Sequence, residues 1–179
     1  MMKFLAVNEP PTLQRISGDR RDAVRDHLLG LEPDARHMRF GHRVSDAWIE
    51  AYVRGLDFAR DLVLAWLYDH GRVLALVHLA HVNGKVTEFA ISVIESLRGT
   101  GHGQRLTRQA LHHAAEMGYG TAHIQFLTAN RPMAAIVDHF HAENTVDGGE
   151  RMAEVPLPPA LRHAFKAPLG PLAFAGFDL

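Results

Sequence analysis

The dipeptide Asn83-Gly84 is the feature that most restricts the fold of this chain. Asn-Gly readily adopts the positive φ angles of a two-residue β-hairpin turn, and apolar runs flank it at 73–82 and 86–93. A third apolar run, 62–68, precedes them across the turn sequence Asp69-His70-Gly71. Three strands joined by such short turns are predicted to form an antiparallel meander in the middle of the chain.

Helical patterns lie on both sides of this meander. Apolar residues recur at helical spacing, and the capping residue Ser45 and the stop signal Gly118 bound two of the patterns. Helices are predicted over 19–30, 33–40, 45–55, 101–117 and 131–140, and further strands over 12–16, 121–127, 145–146 and 152–155. This succession predicts a single α/β domain over 1–179, with a mixed, mostly antiparallel central sheet flanked by helices.

Composition narrows the classes of protein that remain. The chain has 179 residues, of which 47% are hydrophobic and 22% charged, a balance typical of one globular domain. Its net charge of -1 shows no excess of positive charge of the kind that binds nucleic acid or an anionic membrane. The absence of Cys excludes disulfides, thiolate zinc sites and a cysteine nucleophile. With no membrane-length apolar run and no signal-peptide pattern, the sequence predicts a soluble cytoplasmic protein.

A strand, a glycine-rich loop and a helix follow one another between Glu88 and Leu106. Glycines let the backbone come close to a ligand, and the first amides of a helix lie unpaired at the positive end of its dipole. The segment is therefore suited to bind a pyrophosphate. It is not a Walker A loop, because Gly103 is followed by Gln104, nor a Rossmann fingerprint, which needs a parallel βαβ unit. The alternative interpretation is a tight turn with a glycine-rich helix start.

These residues resemble the acetyl-CoA motif of the GNAT family of N-acetyltransferases. The motif reads Q/R-x-x-G-x-G/A and is matched here by Arg98, Gly101 and Gly103. Asn130 matches the Asn that family members often place against CoA. The resemblance covers about residues 12–155. It implies an acetyl-CoA N-acyltransferase-like fold, whose splayed sheet binds acetyl-CoA between the fourth and fifth strands and transfers the acetyl group to a primary amine.

The resemblance also implies roles for individual residues. Main-chain groups of Ile91, Ser92 and Val93 would bind the pantetheine arm and polarise the thioester carbonyl. The pyrophosphate would be held by backbone amides of the loop and first helical turn. The implied cofactor-binding residues there are Arg98, Gly99, Thr100, Gly101, His102, Gly103 and Gln104, with Asn130 beyond them. The co-substrate is acetyl-CoA, and no metal is expected.

Glu88 is the candidate general base. Along the strand 86–93, Glu88, Ala90 and Ser92 share one face, while the bulkier Phe89 and Ile91 share the other with Thr87 and Val93. An amine must lose a proton before it attacks, and a carboxylate on the small, polar face can accept it directly or through water. Members of the family often carry a Glu here. The alternative is a solvated or salt-bridged Glu with no catalytic role.

Two departures from the family pattern leave an alternative function open. Many members place a Tyr, as acid for the departing thiolate, where this chain has Val137, and some place a Glu where it has Gln125. The alternative is a non-catalytic acyl-CoA-binding or regulatory module of the same fold. The acceptor wall would be formed by 34–52, whose mixed charges identify no acceptor, so a small-molecule or peptide amine is all that is implied.

The histidines invite a metal-binding interpretation that their spacing disfavours. Neither His112-His113 nor the pair His139 and His141 has the i,i+4 spacing that puts two ligands on one helical face. His78 and His81 point to opposite faces of their strand. His78, His81 or His123 could instead enter the acceptor cleft and replace a missing acid or base.

The segment 156–179 is predicted to be a docked arm rather than a solvated linker. It is rich in Pro, yet it carries seven large apolar residues. If these residues were exposed to water, they would form an aggregation-prone apolar surface. The arm is therefore expected to pack on its own domain or across a homodimer. Phe165, Leu172 and Phe174 are the expected anchors.

Overall fold

The computed structural model describes residues 13–140 and 142–157. Seven strands form one sheet in the order β1-β2-β3-β4-β5-β7-β6, in which β4 and β5 are parallel and the other neighbouring pairs antiparallel. The strands are β1 (Leu13–Arg15), β2 (Leu62–Tyr68), β3 (Arg72–Asn83), β4 (Val86–Val93), β5 (Thr121–Leu127), β6 (Glu143–Asp147) and β7 (Glu150–Pro156). The helices are α1 (Arg21–Leu29), α2 (Pro33–Phe40), α3 (Asp46–Gly55), α4 (His102–Glu116) and α5 (Arg131–His139). The predicted sheet class is confirmed.

Each face of the sheet is covered by its own layer of helices. On one face, α1 and α3 bury Leu28 and Ile49 against Val63 and its neighbours. On the other face, α4 and α5 pack Leu106 and other apolar residues against Phe89. Because successive side chains of a strand point to opposite faces, β2 and β3 contribute to both cores, whereas the apolar side chains of β4 join only the core under α4 and α5. The alternation predicted for β4 therefore sets which of its residues meet each helical layer.

The first helix begins later than predicted. The pattern placed its start at Asp19, but Gly18–Arg20 forms a separate 3₁₀ turn and α1 starts at Arg21. The Asp19 carboxylate accepts a hydrogen bond from the Ser17 hydroxyl instead of capping the helix. The N-cap predicted at Ser45 is confirmed, since its hydroxyl oxygen accepts a hydrogen bond from the Trp48 amide.

Strands β4 and β5 pair over only a short distance. Their parallel register joins Val86 to Thr121, Thr87 to Ala122 and Glu88 to His123, and it ends there. Beyond this point β4 continues to pair with β3 as far as Val93, while β5 continues to pair with β7 as far as Leu127. The two strands therefore diverge, and beyond Glu88 no strand among the described residues pairs with the edge of β4 that faces β5.

The described part of the chain ends inside the core. Leu157 is buried, and its amide donates a hydrogen bond to the Gly120 carbonyl. The predicted anchors Phe165, Leu172 and Phe174 lie outside the described residues, so the docking of the arm stays a prediction. Among residues 13–140 and 142–157, no helix has the length and apolar character needed to cross a membrane.

Candidate active site

The divergence of β4 and β5 opens a cleft in the middle of the sheet, called here the β4–β5 cleft. It is lined by Phe89, Ala90 and Ile91 of β4, Ile124, Gln125 and Phe126 of β5, Met38 and Arg39 of α2, and Asn130 and Met133 at the start of α5. Main-chain groups on the β5-facing edge of β4 are free to bond a ligand, because the strand that would satisfy them has moved away. The cleft thus offers an extended ligand a ladder of backbone donors and acceptors.

The glycine-rich loop lies at the end of β4 and leads into α4. Gly99 and Gly101 have φ angles of 72° and 81°, a region that L side chains rarely adopt. The N-cap of α4 is Gly101, which has no side chain to cap the helix. The first helical hydrogen bond runs from the Arg105 amide to the Gly101 carbonyl, so the amides before it are available to an anion.

The second motif glycine serves a different purpose from the first. Gly103 lies inside α4, and a Cβ atom there would come within 3.3 Å of the Ile136 side chain on α5. Its role is therefore a close approach between α4 and α5, rather than a positive φ angle. The motif combines a conformational requirement at Gly101 with a packing requirement at Gly103.

The other side chains of the loop are engaged in holding it in place. Arg98 donates through Nε to the Val93 carbonyl and through its terminal nitrogen to Glu32 at 2.7 Å, just before α2. Thr100 donates to the Leu97 carbonyl and is also hydrogen-bonded to His102. What the loop presents to a ligand is accordingly its backbone.

Ser92, predicted to contribute only main-chain groups, also ties β4 to α1. Its hydroxyl is 2.8 Å from Nε2 of His27, whose Nδ1 lies 3.2 Å from the Val73 carbonyl. A carbonyl can only accept, so Nδ1 carries the proton and Nε2 accepts from Ser92. Burial lowers the pKa of His27 from 6.5 to about 4, despite the bond to Val73. The ring is therefore a neutral, structural link behind the strand that lines the cleft.

His27 should make the stability of the fold depend on pH. Between about pH 6.5 and 4 the unfolded chain binds a proton at this imidazole and the folded chain does not. The free energy of unfolding should thus fall by about 3 kcal/mol as the pH drops through this range. The variant His27→Gln should flatten that part of the profile in denaturant unfolding at several pH values. An equal slope in both proteins would contradict the assignment.

Glu88 is exposed on the face of β4 that α1 to α3 cover, as the alternation predicted. The same face carries a chain of hydrogen bonds that the sequence did not reveal. His78 of β3 pairs with Ala90 of β4. Its Nδ1 is 2.7 Å from the Tyr52 hydroxyl, and its Nε2 is 3.0 Å from the Asp61 carboxylate. A carboxylate only accepts, so Nε2 carries the proton and the Tyr52 hydroxyl donates to Nδ1.

The pKa of His78 in this hydrogen-bond chain depends on its burial and on charges from three parts of the fold. Burial is the main cause that lowers the pKa of His78, and the Arg39 guanidinium lowers it further. The hydrogen bond that His78 donates to Asp61 and the charges of Asp61 and Glu88 raise it. With the pKa lowered overall, His78 is neutral at pH 7, and both of its nitrogens are already engaged. Glu88 is the more accessible proton acceptor on this face.

The remaining predicted histidines do not reach the cleft. Nδ1 of His81 is 3.2 Å from the Tyr119 hydroxyl, and Nε2 of His123 is 3.5 Å from Glu154. His78 and His81 do contact opposite faces of the sheet, as predicted. Within the part of the chain that the structure describes, no three His, Asp or Glu side chains group as a metal site would require.

Asn130, the N-cap of α5, and Val137, inside α5, are two positions that the family resemblance singled out. The Asn130 side chain caps α5 by accepting a hydrogen bond from the Met133 amide, and its amide group lies 3.4 Å from the Met38 carbonyl. Val137 is fully buried between α5 and the sheet. A side chain at 137 would consequently need to displace core residues before it could reach a thiolate.

The variant Val137→Tyr should destabilise the protein without a gain in activity. A fully buried Val site has no room for a phenol ring, and overpacking of this kind costs about 1–3 kcal/mol. Thermal unfolding should show a lowered Tm, and thiol release from acetyl-CoA should not rise. A clear rise in turnover would mean that thiolate departure limits the rate.

A larger cavity, of about 380 Å³, lies elsewhere in the molecule. It is formed between α1 and the β2–β3 turn, and Asp26, His27, Asp69 and Arg72 are among its lining residues. None of the glycine-loop residues and no carboxylate of β4 lines it. The larger cavity is therefore not at the place where the glycine-rich loop follows the diverging strands, so cavity size alone would not identify the candidate site.

The sequence profile of the acetyltransferase (GNAT) family matches residues 22–140, which include the glycine-rich loop and both diverging strands. The chain belongs to the GNAT acetyltransferase family. Members of this family use acetyl-CoA. A comparison with curated protein sequences gives no match.

Solved structures show the GNAT fold in proteins of distant sequence. The GNAT domain of S. lividans PAT is 18% identical, with a TM-score of 0.68 over 81% of this chain and 89% of that one. Spermidine N-acetyltransferase from Vibrio cholerae, in complex with CoA and spermine, is 12% identical, with a TM-score of 0.64 over 82% of this chain and 95% of that one. A cAMP-binding acyltransferase from Mycobacterium smegmatis is 22% identical, with a TM-score of 0.59 over 92% of this chain and 49% of that one.

The hydrogen-bonded residues beside the cleft of this GNAT protein were predicted only in part. Arg39 and Tyr52 lie in the segment 34–52, which was expected to form the acceptor wall, but neither was given a role of its own, and Asp61 was not singled out. The available signal was the aromatic spacing of Trp48 and Tyr52 on one side of α3. Their rings stack with centroids 5.7 Å apart, while the buried positions of the helix are Ile49 and Val53.

Proposed function

We propose that this protein is an acetyl-CoA-dependent N-acetyltransferase that moves an acetyl group directly to a primary amine in a ternary complex. The observation that carries the proposal is the coincidence of two features at one place. β4 loses its β5 partner after Glu88, and the strand then leads into an uncapped helix start at Gly101. An unpaired strand edge suits a pantetheine arm, and an uncapped helix start suits a pyrophosphate.

The cofactor would lie along β4 and end at α4. Main-chain groups of Ile91, Ser92 and Val93 bind the pantetheine arm and polarise the thioester carbonyl, and the amides of 99–104 bind the pyrophosphate. The cavity in the cleft measures about 30 Å³, so side chains that line it, Met38 among them, must shift to admit the arm. Asn130 lines the same cleft from the start of α5.

Glu88 is the proposed general base of the transfer. Its carboxylate takes a proton from the ammonium, and the freed lone pair attacks the thioester carbonyl carbon. The resulting tetrahedral centre collapses with cleavage of the carbon–sulfur bond. The nitrogen loses its second proton, directly or through water, to the departing thiolate, which gives the acetylated amine and CoA. The thiolate is a modest base and can leave without an acid from position 137.

A non-catalytic acyl-CoA-binding module is the second candidate function. Burial of Val137, where many members carry the Tyr acid, favours it. An equilibrium titration with acetyl-CoA followed by a thiol-release assay over a panel of amines separates the two. Saturable binding with amine-dependent thiol release supports the transferase. Binding without release from any amine supports the module, and absence of binding excludes both.

A further inference from the structure

Arg39 of α2 points into the β4–β5 cleft at the level of Phe89, Ala90 and Ile91. Its guanidinium lies over the Phe40 ring, 4.8 Å from the centroid, and 5.8 Å from the centroid of Tyr52. One terminal nitrogen donates to the Tyr52 hydroxyl at 3.0 Å. These contacts hold the cation at the mouth of the cleft rather than in open solvent.

The position of this guanidinium is fixed by a chain of oriented hydrogen bonds. Arg39 donates to the Tyr52 oxygen, the Tyr52 hydroxyl donates to His78, and His78 donates to Asp61. Asp61 is held in turn by the amide of His81 at 3.1 Å. Tyr52 and the neutral His78 each have a single proton to donate, so the Tyr52 oxygen is left to accept from Arg39 and fixes where that end of the guanidinium lies.

In the part of the chain that the structure describes, Arg39 nevertheless lacks an anionic partner. Its Nε–H is buried without a hydrogen bond, and no carboxylate among the described residues forms a salt bridge with it. A buried donor without a partner is costly, and more so when it belongs to a charged group. The planar fork of a guanidinium matches a carboxylate, which it can bind through two parallel hydrogen bonds.

The CoA phosphates are not the missing anion. They would occupy the start of α4, near Gly101, whereas Arg39 faces the stretch Phe89 to Ile91 farther back along β4. The part of the cofactor at that level is the acetylated end of the pantetheine arm, which carries no charge. The anion that Arg39 can bind must accordingly belong to the acceptor.

Two fixed charges of opposite sign therefore face the acceptor. Glu88 lies on the same face of β4 as Ala90, which pairs with His78. Tyr52 links His78 to Arg39, so the charges of Glu88 and Arg39 act on it from β4 and α2 respectively. We infer that the acceptor is a small amine that also carries a carboxylate, with Arg39 binding the carboxylate and Glu88 facing the amine. The inference rests on the proposed transferase function. A polyamine, which carries only positive charge, is disfavoured because Arg39 would repel it.

The test compares amino acids with the amines that remain after removal of their carboxylate, such as phenylalanine with phenethylamine and methionine with 3-(methylthio)propylamine. The wild-type kcat/KM should be about 10- to 100-fold higher for the acid of a pair, the scale of a charge-assisted hydrogen-bonded contact. Arg39→Met should bring this ratio near one by lowering turnover of the acid alone. Arg54→Met, which changes an exposed Arg on α3, should leave the ratio unchanged.

A binding experiment separates failure of this inference from failure of the proposed function. Calorimetry on the protein with CoA bound measures affinity for N-acetylphenylalanine and for N-acetylphenethylamine. Tighter binding of the acid supports the inference even if no amine releases thiol, whereas equal binding overturns it. Equal loss of both substrates in Arg39→Met would also overturn it, since Arg39 would then only hold α2. If that variant does not fold, Arg39→Lys, which keeps the charge but lacks the fork, should lower the wild-type ratio.

Discussion

Replacing Glu88 by Gln is expected to lower turnover by about 10²- to 10⁴-fold, the usual contribution of general base catalysis. The amide keeps the size and polarity of the carboxylate but cannot accept the proton of the ammonium. Glu88 is exposed and is the last residue of β4 that pairs with β5, so it lies before the unpaired edge proposed to bind acetyl-CoA. The loss should therefore fall on turnover and leave acetyl-CoA affinity near wild type. The acid limb of the rate–pH profile should flatten in the same variant.

The matched control for Glu88 is Glu143→Gln on β6. It makes the same chemical change at an exposed strand position away from the cleft, so rate and pH profile should match wild type. Turnover of Glu88→Gln equal to that of this control would make Glu88 a structural residue. A loss confined to acetyl-CoA affinity would instead place Glu88 in the cofactor site.

Replacing Gly101 by Val should weaken acetyl-CoA binding by about 100-fold or more. The φ angle of 81° strains a β-branched residue, and relaxing this strain would turn the first amides of α4 away from the pyrophosphate. Several charge-assisted hydrogen bonds would be lost together, each worth roughly 1.5–3 kcal/mol. Isothermal calorimetry with acetyl-CoA measures the effect, and circular dichroism verifies that the variant is folded.

Gly118→Val is the control for this substitution because it strains the other end of the same helix. Its φ angle is 95°, and a Cβ there meets nothing within 4 Å, as at Gly101. It should lower Tm without changing acetyl-CoA affinity. Gly103→Val should also weaken binding, through the clash with Ile136 that pushes α4 away from α5. If folded Gly101→Val bound acetyl-CoA like wild type, the loop would not be the pyrophosphate site.

The order of secondary structure could be predicted from local signals. Asn83-Gly84 specified the hairpin, because few other dipeptides adopt its turn, and alternation along β4 correctly put Glu88 on the face opposite Phe89. The start of α1 was predicted too early because Ser and Asp favour turns as well as helix starts, and here Gly18–Arg20 forms a separate 3₁₀ turn. The family resemblance rested on the glycine motif, and the family match over 22–140 confirms that resemblance, while the roles of the individual motif residues stay predictions.

By itself, the sequence determined the sheet class, the faces of β4 and the position of the glycine-rich loop, since each depends on periodicity or on residues close in the chain. Only the tertiary structure decided where β4 and β5 part and which distant side chains meet there. Arg39, Tyr52, His78 and Asp61 come from four separate elements, and their hydrogen bonds follow from how α2 and α3 pack on the sheet. Such packing depends on the shapes of two surfaces, which no local pattern encodes. The distinction between Gly101 and Gly103 has the same origin, because a φ angle is a local property whereas contact with Ile136 requires a second helix.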